Sequence, residues 1–452
     1  MAGGAGKSGR GLPGRAPLEG GPGPAWAVAP PGIHELPDRS RIVLAFSGGL
    51  DTTFCAVRLR ETEGADVITV TVDTGGFSDA ERRRIEERAR AAGSVRHETV
   101  DGRRRVYDRF CTYLVKGNCL RGGVYPLSVG AERIVQAEEV ARVARETGAA
   151  AVAHGSTGAG NDQVRFDTAL AALLPGIRVL APIRELGWTR DQEADWLEAR
   201  GFPVDRSTRR YSVNAGLWGV TIGGGETHDP WKSLPPEAWQ TTTDPEKAPA
   251  EAEVVVLAFE RGLPVALDGR RLEPLELLAE LGARAARHGV GRGVHLGDTI
   301  LGIKGRIAFE APAPAVILRA HRELEKLVLT KAQQTWKQTL AEFYGGALHE
   351  GLWFDPVMRD CEAFLDSSQE RVNGEARVRL WRGTCEVVGV RSPDSLLSGA
   401  GATYGEGAKA WSGAEAAGFS RIHGMQGILA ERLRARRAAE GLAPRIEGGT
   451  KT

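Results

Sequence analysis

From Arg41 onward, short β-branched runs alternate with longer stretches that carry charged and apolar residues at helical spacing. That alternation predicts an α/β fold: a doubly wound, parallel, five-stranded sheet, followed by an α+β unit and a C-terminal helix. Length agrees, since 452 residues exceed one ordinary domain and leave room for a second core. Composition agrees as well, because 42% hydrophobic and 26% charged residues are globular values that a wholly disordered chain does not have.

The first 40 residues hold 10 Gly and 7 Pro, too few packing side chains for a core, so residues 1–39 read as a disordered leader. Within it Gly6-Lys7-Ser8 imitates the end of a Walker A loop, but Met1 stands where that loop needs its first glycine. The sheet domain is expected over residues 40–210. Its strands are Ile42–Phe46, Val67–Val72, Val95–Val100, Ala150–His154 and Ile177–Leu180, separated by helical stretches such as Ala80–Ala92, Glu132–Glu146 and Asp191–Arg200. In such a sheet ligands collect beyond the C-terminal strand ends, so chemistry is expected in the loops that follow them. After Tyr211 the alternation stops; Gly223-Gly224-Gly225 and the polar stretch Thr241–Glu253 read as loop or linker. The α+β unit, 211–412, is expected to carry helices at Leu272–His288 and Val316–Phe343. Its hairpin pairs Ala376–Trp381 with Cys385–Val390 around Arg382-Gly383. Residues 413–452 form a tail with an Arg-rich helix at Ile428–Glu440.

Charge and cysteine usage exclude several classes. Lys plus Arg at 59 against Asp plus Glu at 58 leaves a net charge of +1, so no overall basic field draws the chain to nucleic acid. The Arg-rich tail helix reads as a solvated or subunit-bridging element. Cys55, Cys111, Cys119, Cys361 and Cys385 are odd in number, scattered and free of CxxC, which suits neither a disulfide framework nor a zinc site; a reducing cytoplasm is the expected setting. No stretch approaches the roughly 20 apolar residues of a membrane helix, and the N-terminus lacks the apolar segment of a signal peptide.

The sharpest local signal is Ala45-Phe46-Ser47-Gly48-Gly49-Leu50-Asp51-Thr52-Thr53, where an apolar strand enters a Ser-Gly-Gly turn and then a helix start. Glycines let backbone N–H groups converge, the hydroxyls of Ser47, Thr52 and Thr53 add donors, and the helix dipole favours an anion. A pyrophosphate can be held there without lysine. Asp51 beside phosphates is repulsive unless a divalent cation or an amide network intervenes. This run resembles the SGGxD[ST] loop of the PP-loop (HUP-like) ATP pyrophosphatases, which implies ATP with Mg2+, Asp51 in the chemistry, and Val72 and Asp73 near adenine and ribose.

A second run, His154-Gly155-Ser156-Thr157-Gly158-Ala159-Gly160-Asn161-Asp162-Gln163-Val164-Arg165-Phe166, places an amide, a carboxylate and a guanidinium at one helix start. An amino-acid site needs that set: Arg for a carboxylate, Asp for an ammonium, Asn and Thr for orientation. It is similar to HGxTGKGNDQVRF of the argininosuccinate synthase family. Further blocks are similar to that family's in the same order, among them Tyr125-Pro126-Leu127 upstream and Tyr211-Ser212-Val213-Asn214-Ala215-Gly216-Leu217-Trp218-Gly219 and Gly302-Ile303-Lys304-Gly305-Arg306 downstream. The resemblance implies a ligase that joins L-citrulline and L-aspartate through a citrullyl-adenylate, releasing AMP and pyrophosphate in arginine biosynthesis. It also implies a homotetramer bridged by a synthetase and oligomerisation domain. The implied ATP contacts are Ala45 to Thr53, Val72 and Gly155. The implied citrulline contacts are Tyr125, Asn161, Arg165, Ser212 and Thr221; those of aspartate are Thr157, Asn161 and Asp162. Asp51, Asp162 and Arg165 are the expected catalytic residues.

The chain departs from the pattern at four places. Ala159 stands for the family's lysine, Gly130 for a serine with Ser128 as stand-in, and Gly297 and Phe309 for a Glu and a Tyr that meet citrulline. Asp298, adjacent to Gly297, is expected to supply the lost carboxylate. These departures motivate one rival reading, a sensor that binds without turnover. A PP-loop tRNA-modifying enzyme is the other rival, which would call for a basic RNA face or reactive cysteines.

Overall fold

Ile42, Val43 and Leu44 are fully buried because strand β1 (Arg41–Ala45) runs through the middle of a parallel sheet covered on both faces. With it lie β2 (Asp66–Asp73), β3 (Arg96–Asp101), β4 (Ala151–Ala153) and β5 (Arg178–Leu180), in the order β3-β2-β1-β4-β5 and all parallel. The five strands therefore fall within one residue of their expected bounds. The order reverses between β1 and β4, so the loops leaving those two strands part and open a crevice. The computed structural model describes residue 37 and residues 39–204, 210–399, 407 and 410–441; the leader expected over 1–39 lies almost wholly outside them.

The helices between the strands start and stop on local chemistry. Ser78 and Glu81 form a capping box at the head of helix Asp79–Ala91, which turns Ile85 and Ala89 inward. Helix Glu132–Thr147 ends where Gly148 takes a φ of 61°, the left-handed conformation that costs glycine least. Between β3 and this helix the chain forms helical turns from Arg103 to Gly117 with a π-type stretch at Tyr107–Cys111, none of which the periodicity announces.

Beyond the parallel sheet the strands are β6 (Tyr211–Gly216), β7 (Gly219–Gly224), β8 (Glu253–Glu260), β9 (Leu263–Leu267), β10 (Arg270–Arg271), β11 (Arg292–Asp298), β12 (Lys304–Glu310), β13 (Gly374–Trp381) and β14 (Thr384–Arg391). They make two antiparallel sheets, β10-β9-β8-β13-β14 and β11-β12-β7-β6. The single helix expected over Val316–Phe343 is in fact two, Pro312–Val328 and Lys331–His349. Leu329 and Thr330 are extended, and the Thr330 hydroxyl accepts from the Gln333 N–H in a capping box, so a new helix starts there. The tail holds Gly413–His423 and Met425–Ala439, longer than the one helix expected, with no residue of either buried.

A buried polar cluster joins the two halves of the chain. Glu325 accepts from Asn118 Nδ2 at 2.5 Å, from Gln369 Nε2 at 2.7 Å and from Lys337 Nζ at 2.9 Å. His321 lies between Asn118 Oδ1 and Gln369 Oε1, each 2.8 Å from a ring nitrogen. No helix among the described residues is long and apolar enough to cross a membrane.

Candidate active site

The turn after β1 is built as the motif demands. Gly48 has a φ of 71°, and a Cβ there would meet Ile85 Cγ1 at 2.9 Å, so only glycine fits. Gly49 is the N-cap of helix Leu50–Thr62, and no side chain caps that helix; its first-turn N–H groups stay open to an anion. Ser47 Oγ lies 3.2 Å from Thr52 Oγ1, and the Thr71 hydroxyl donates to Phe46 O at 2.6 Å, which ties the turn to β2. Gly155 follows β4 and closes on the same turn, since a Cβ on it would stand 3.1 Å from Thr52 Cγ2. Ala45 to Thr53 and Gly155 are thus gathered in one place. Val72 is buried, and its Cγ1 fills the space that a Cβ on Gly102 would take, so its backbone rather than its side chain is what Val72 can present at the end of β2. Asp73 is a structural residue: it accepts from Gly75 N at 2.8 Å and pairs with Arg82.

Behind the turn sits a carboxyl pair that the motif did not announce. Asp51 Oδ2 accepts from Arg190 at 3.3 Å, whereas Oδ1 is buried without a partner among the described residues. Glu193 is fully buried next to it, and burial, then the Asp51 charge, pushes its carboxyl up to about 8. A protonated Glu193 can donate to Asp51, which accounts for the atoms left without other partners. The unfolded chain releases this proton near 4.5 and the folded chain near 8, so stability falls as pH rises through that interval. Glu193→Gln should remove this slope, making the variant more stable than the native chain by on the order of 1–3 kcal/mol at pH 8 but not at pH 4. Denaturant unfolding at the two pH values checks it; equal pH dependence in both proteins would contradict the assignment.

The loop after β4 brings the amino-acid set together. Asp162 Oδ1 accepts from Arg165 at 2.7 Å and Oδ2 from Arg133 at 3.1 Å, and Arg133 also reaches Asn214 Oδ1 at 3.3 Å. Burial pushes the Asp162 carboxyl up, but the two guanidinium groups outweigh it and hold the group well below the usual carboxylate range. Arg165 Nε donates to His349 O at 2.8 Å, and its Nη2 lies 3.1 Å from His349 Nδ1. Burial first, then Arg165 and Arg121, pushes the His349 imidazole down to about 2, so it stays neutral beside the guanidinium. Thr157 lies over Gly160 at the loop's base, and Asn161 Oδ1 accepts from Ile300 N at 3.0 Å, which seats the β11–β12 hairpin on the helix start. His154 is a packing residue, stacked on Phe166 and 2.9 Å from Asp167. Arg184 packs beside Gly158 and pairs with Asp167, so a cation stands near the loop that has Ala159.

Cross-strand register puts the remaining residues on one sheet face. Asn214 pairs with Thr221, Thr221 with Phe309 and Phe309 with Gly293, while Ser212 pairs with Gly223 two positions along. Paired residues share a face, so Ser212 and Thr221 look the same way as Asn214, which Arg133 touches. The opposite face carries Val220, Ile222 and Ala308 in a small apolar core. Tyr125 is buried against the face that carries Ser212, Asn214 and Thr221, its ring 5.2 Å from Phe309, and its hydroxyl accepts from Val129 N at 3.1 Å. Gly130 abuts the Arg165 guanidinium, whereas a Cβ on Gly219 would stand 2.7 Å from Ser128 Oγ; Ser128 does not replace the missing serine. The expectation for Asp298 fails for a geometric reason. In β11, Val294, Leu296 and Asp298 alternate outward, and the Asp298 side chain is 61% exposed and paired with Lys304 at 2.5 Å.

Residues 41–203 match the family described as Arginosuccinate synthase N-terminal HUP domain, and residues 211–430 match the Arginosuccinate synthase C-terminal domain. The argininosuccinate synthase of Pyrococcus furiosus is 40% identical over 390 residues, covering 86% of this chain and 94% of that protein. That of Methanocaldococcus jannaschii is 39% identical over 395 residues, with 87% and 99% covered. That of Xanthomonas campestris pv. campestris is 45% identical over 393 residues, with 86% and 97% covered. An uncapped lysine-free glycine turn after β1, an Asp162–Arg133–Arg165 cluster one strand away and matches along most of its length agree: the chain belongs to the argininosuccinate synthase family.

Proposed function

We propose that the protein is an ATP-dependent ligase that joins L-citrulline to L-aspartate, yielding argininosuccinate, AMP and pyrophosphate in arginine biosynthesis. The observation that carries this reading is the Asp162–Arg133–Arg165 cluster, set at a helix start next to the open phosphate turn. The ureido oxygen of citrulline attacks the α-phosphorus of ATP, forming an O–P bond as the bond to pyrophosphate breaks. The aspartate amine then attacks the ureido carbon, and AMP leaves with the former ureido oxygen. Positioning and charge stabilisation suffice for both steps. First-turn N–H groups and the hydroxyls of Ser47, Thr52 and Thr53 receive the charge that builds on pyrophosphate. Tyr125, Asn161, Arg165, Ser212 and Thr221 border citrulline, and Thr157, Asn161 and Asp162 border aspartate. Two guanidinium groups keep Asp162 ionised and weakly basic, so it orients the amine rather than taking its proton. Mg2+, when bound, would offset triphosphate charge and so relieve the repulsion between the phosphates and Asp51.

Phe419, Ile422, Met425, Ile428, Leu429 and Leu433 are all exposed on the tail helices, which supports assembly into a homotetramer in which a partner copy covers them. All five cysteines are free and buried, in keeping with a cytoplasmic setting. The activity is tested by a pyrophosphate-release assay with each substrate omitted in turn. Release should require ATP, citrulline and aspartate together under multiple turnover; release indifferent to either amino acid, or nucleotide binding without release, contradicts the reading.

A further inference from the structure

We propose that His295 is a citrulline-contacting residue, its Nε2 accepting a hydrogen bond from the α-ammonium group of the substrate. The inference rests on the proposed ligase reading and deepens it. Gly293, His295 and Gly297 alternate onto the ligand-side face of β11, and His295 pairs across with Ile307 in the row that contains Ser212. The imidazole stacks on the Tyr125 ring, centroids 5.8 Å apart and planes at 20°, and a Cβ on Gly122 would stand 2.8 Å from its Cε1. Stacking from one side and backbone from the other fix the ring. Its Nε2 is buried with no hydrogen-bond partner among the described residues, although a buried polar atom ordinarily has one.

Gly297 explains where that nitrogen points. A Cβ on Gly297 would lie 2.5 Å from His295 Nε2, so the ring fills the space that a side chain on residue 297 would take. An acidic side chain on 297 and a histidine on 295 therefore exclude each other, and this chain has the histidine. Phe309 and Gly293 show the same exchange, because the Phe309 ring covers the Gly293 Cα. Burial and then Arg121 lower the His295 pKa, so the ring is neutral and presents a lone pair. A lone pair in that place can meet only a donor, and on a zwitterion the ammonium is the charged end that donates.

Steady-state pyrophosphate release, with citrulline varied at saturating ATP and aspartate, tests the contact. His295→Leu should raise the citrulline KM roughly 10- to 100-fold while kcat and the KM of ATP and aspartate change less than about threefold. His295→Gln, which keeps an acceptor near the Nε2 position, should stay within about fivefold of the native citrulline KM. Gly297→Glu alone should bind citrulline poorly because of the clash, whereas adding Gly297→Glu to His295→Ala should lower the citrulline KM of the Ala variant at least about tenfold. A native citrulline KM in His295→Leu overturns the contact; should that variant not fold, an Ala variant unimproved by Gly297→Glu overturns it. Absence of citrulline-dependent release in the native protein would sink the ligase reading and this contact together, whereas normal native turnover with an indifferent His295→Leu would sink the contact only.

Discussion

Asp162→Ala should lower kcat/KM for both amino acids roughly 100- to 1000-fold while the affinity for ATP stays within a few fold. Asp162 is the shared counter-ion of Arg133 and Arg165 and the one carboxylate at the head of the helix Asn161–Leu173. Removing it takes away the group that would face a substrate ammonium, leaves Arg165, 5% exposed, without a carboxylate, and leaves Arg133, 11% exposed, with Glu132 alone at 3.5 Å. Those groups would then compete for the substrate carboxylates in the wrong place, so both amino acids suffer. The phosphate turn belongs to a different strand, β1, and is tied to β2 through Thr71, so nucleotide binding is spared. Steady-state kinetics with each substrate varied, beside an ATP titration, separates these effects. Equal losses for ATP and the amino acids would indicate collapse of the site instead, and a normal aspartate KM would remove Asp162 from the amino-acid site.

Lys337→Met should act in the opposite manner, destabilising the fold by about 3–5 kcal/mol while leaving the citrulline and aspartate KM of the folded protein unchanged. Lys337 is buried with Glu325, and no solvent is available to take over the carboxylate when the ammonium is lost. Asn118 and Gln369 would still donate to Glu325, but two amides do not neutralise a buried charge. Asn118 ends the helical turns that follow β3, whereas Glu325 and Lys337 belong to the later helices, so the loss is felt by both halves of the chain. A second change, Glu325→Gln on the Met background, should recover part of the stability, because the uncompensated charge is then gone. Denaturant unfolding of the two variants and the native chain checks this; a Met variant as stable as the native chain would contradict the role given to the pair.

What could be read from the residues alone was what lies close together along the chain. The turn from Ala45 to Thr53 and the loop from Gly155 to Arg165 are each one strand end, one glycine bend and one helix start, and all their residue types sit in an unbroken run. The inner parallel strands were legible for the same reason, since burial on both faces leaves short apolar runs with sharp edges. Contacts made by distant segments were not. His349 meets Arg165 across 184 positions, and Glu193 reaches Asp51 from a helix that follows β5. Neither has a neighbour in sequence that marks it. The break at Leu329-Thr330 did carry a signal, Thr330 with Gln333 three residues on, but the apolar periodicity on either side ran through it. The choice of Asp298 failed because adjacency along a strand means opposite faces; the residue that shares the face of Gly297 is His295, two positions away.

In the proposed reaction citrulline is activated on its ureido oxygen at the turn after β1. Citrulline labelled with ¹⁸O in the ureido group, turned over with ATP and aspartate, tests it in one mass spectrum of the nucleotide product. The label should appear in AMP, since that oxygen forms the bond to the α-phosphorus and leaves with it. AMP free of label, with the heavy oxygen in pyrophosphate, phosphate or water, would contradict the adenylate route.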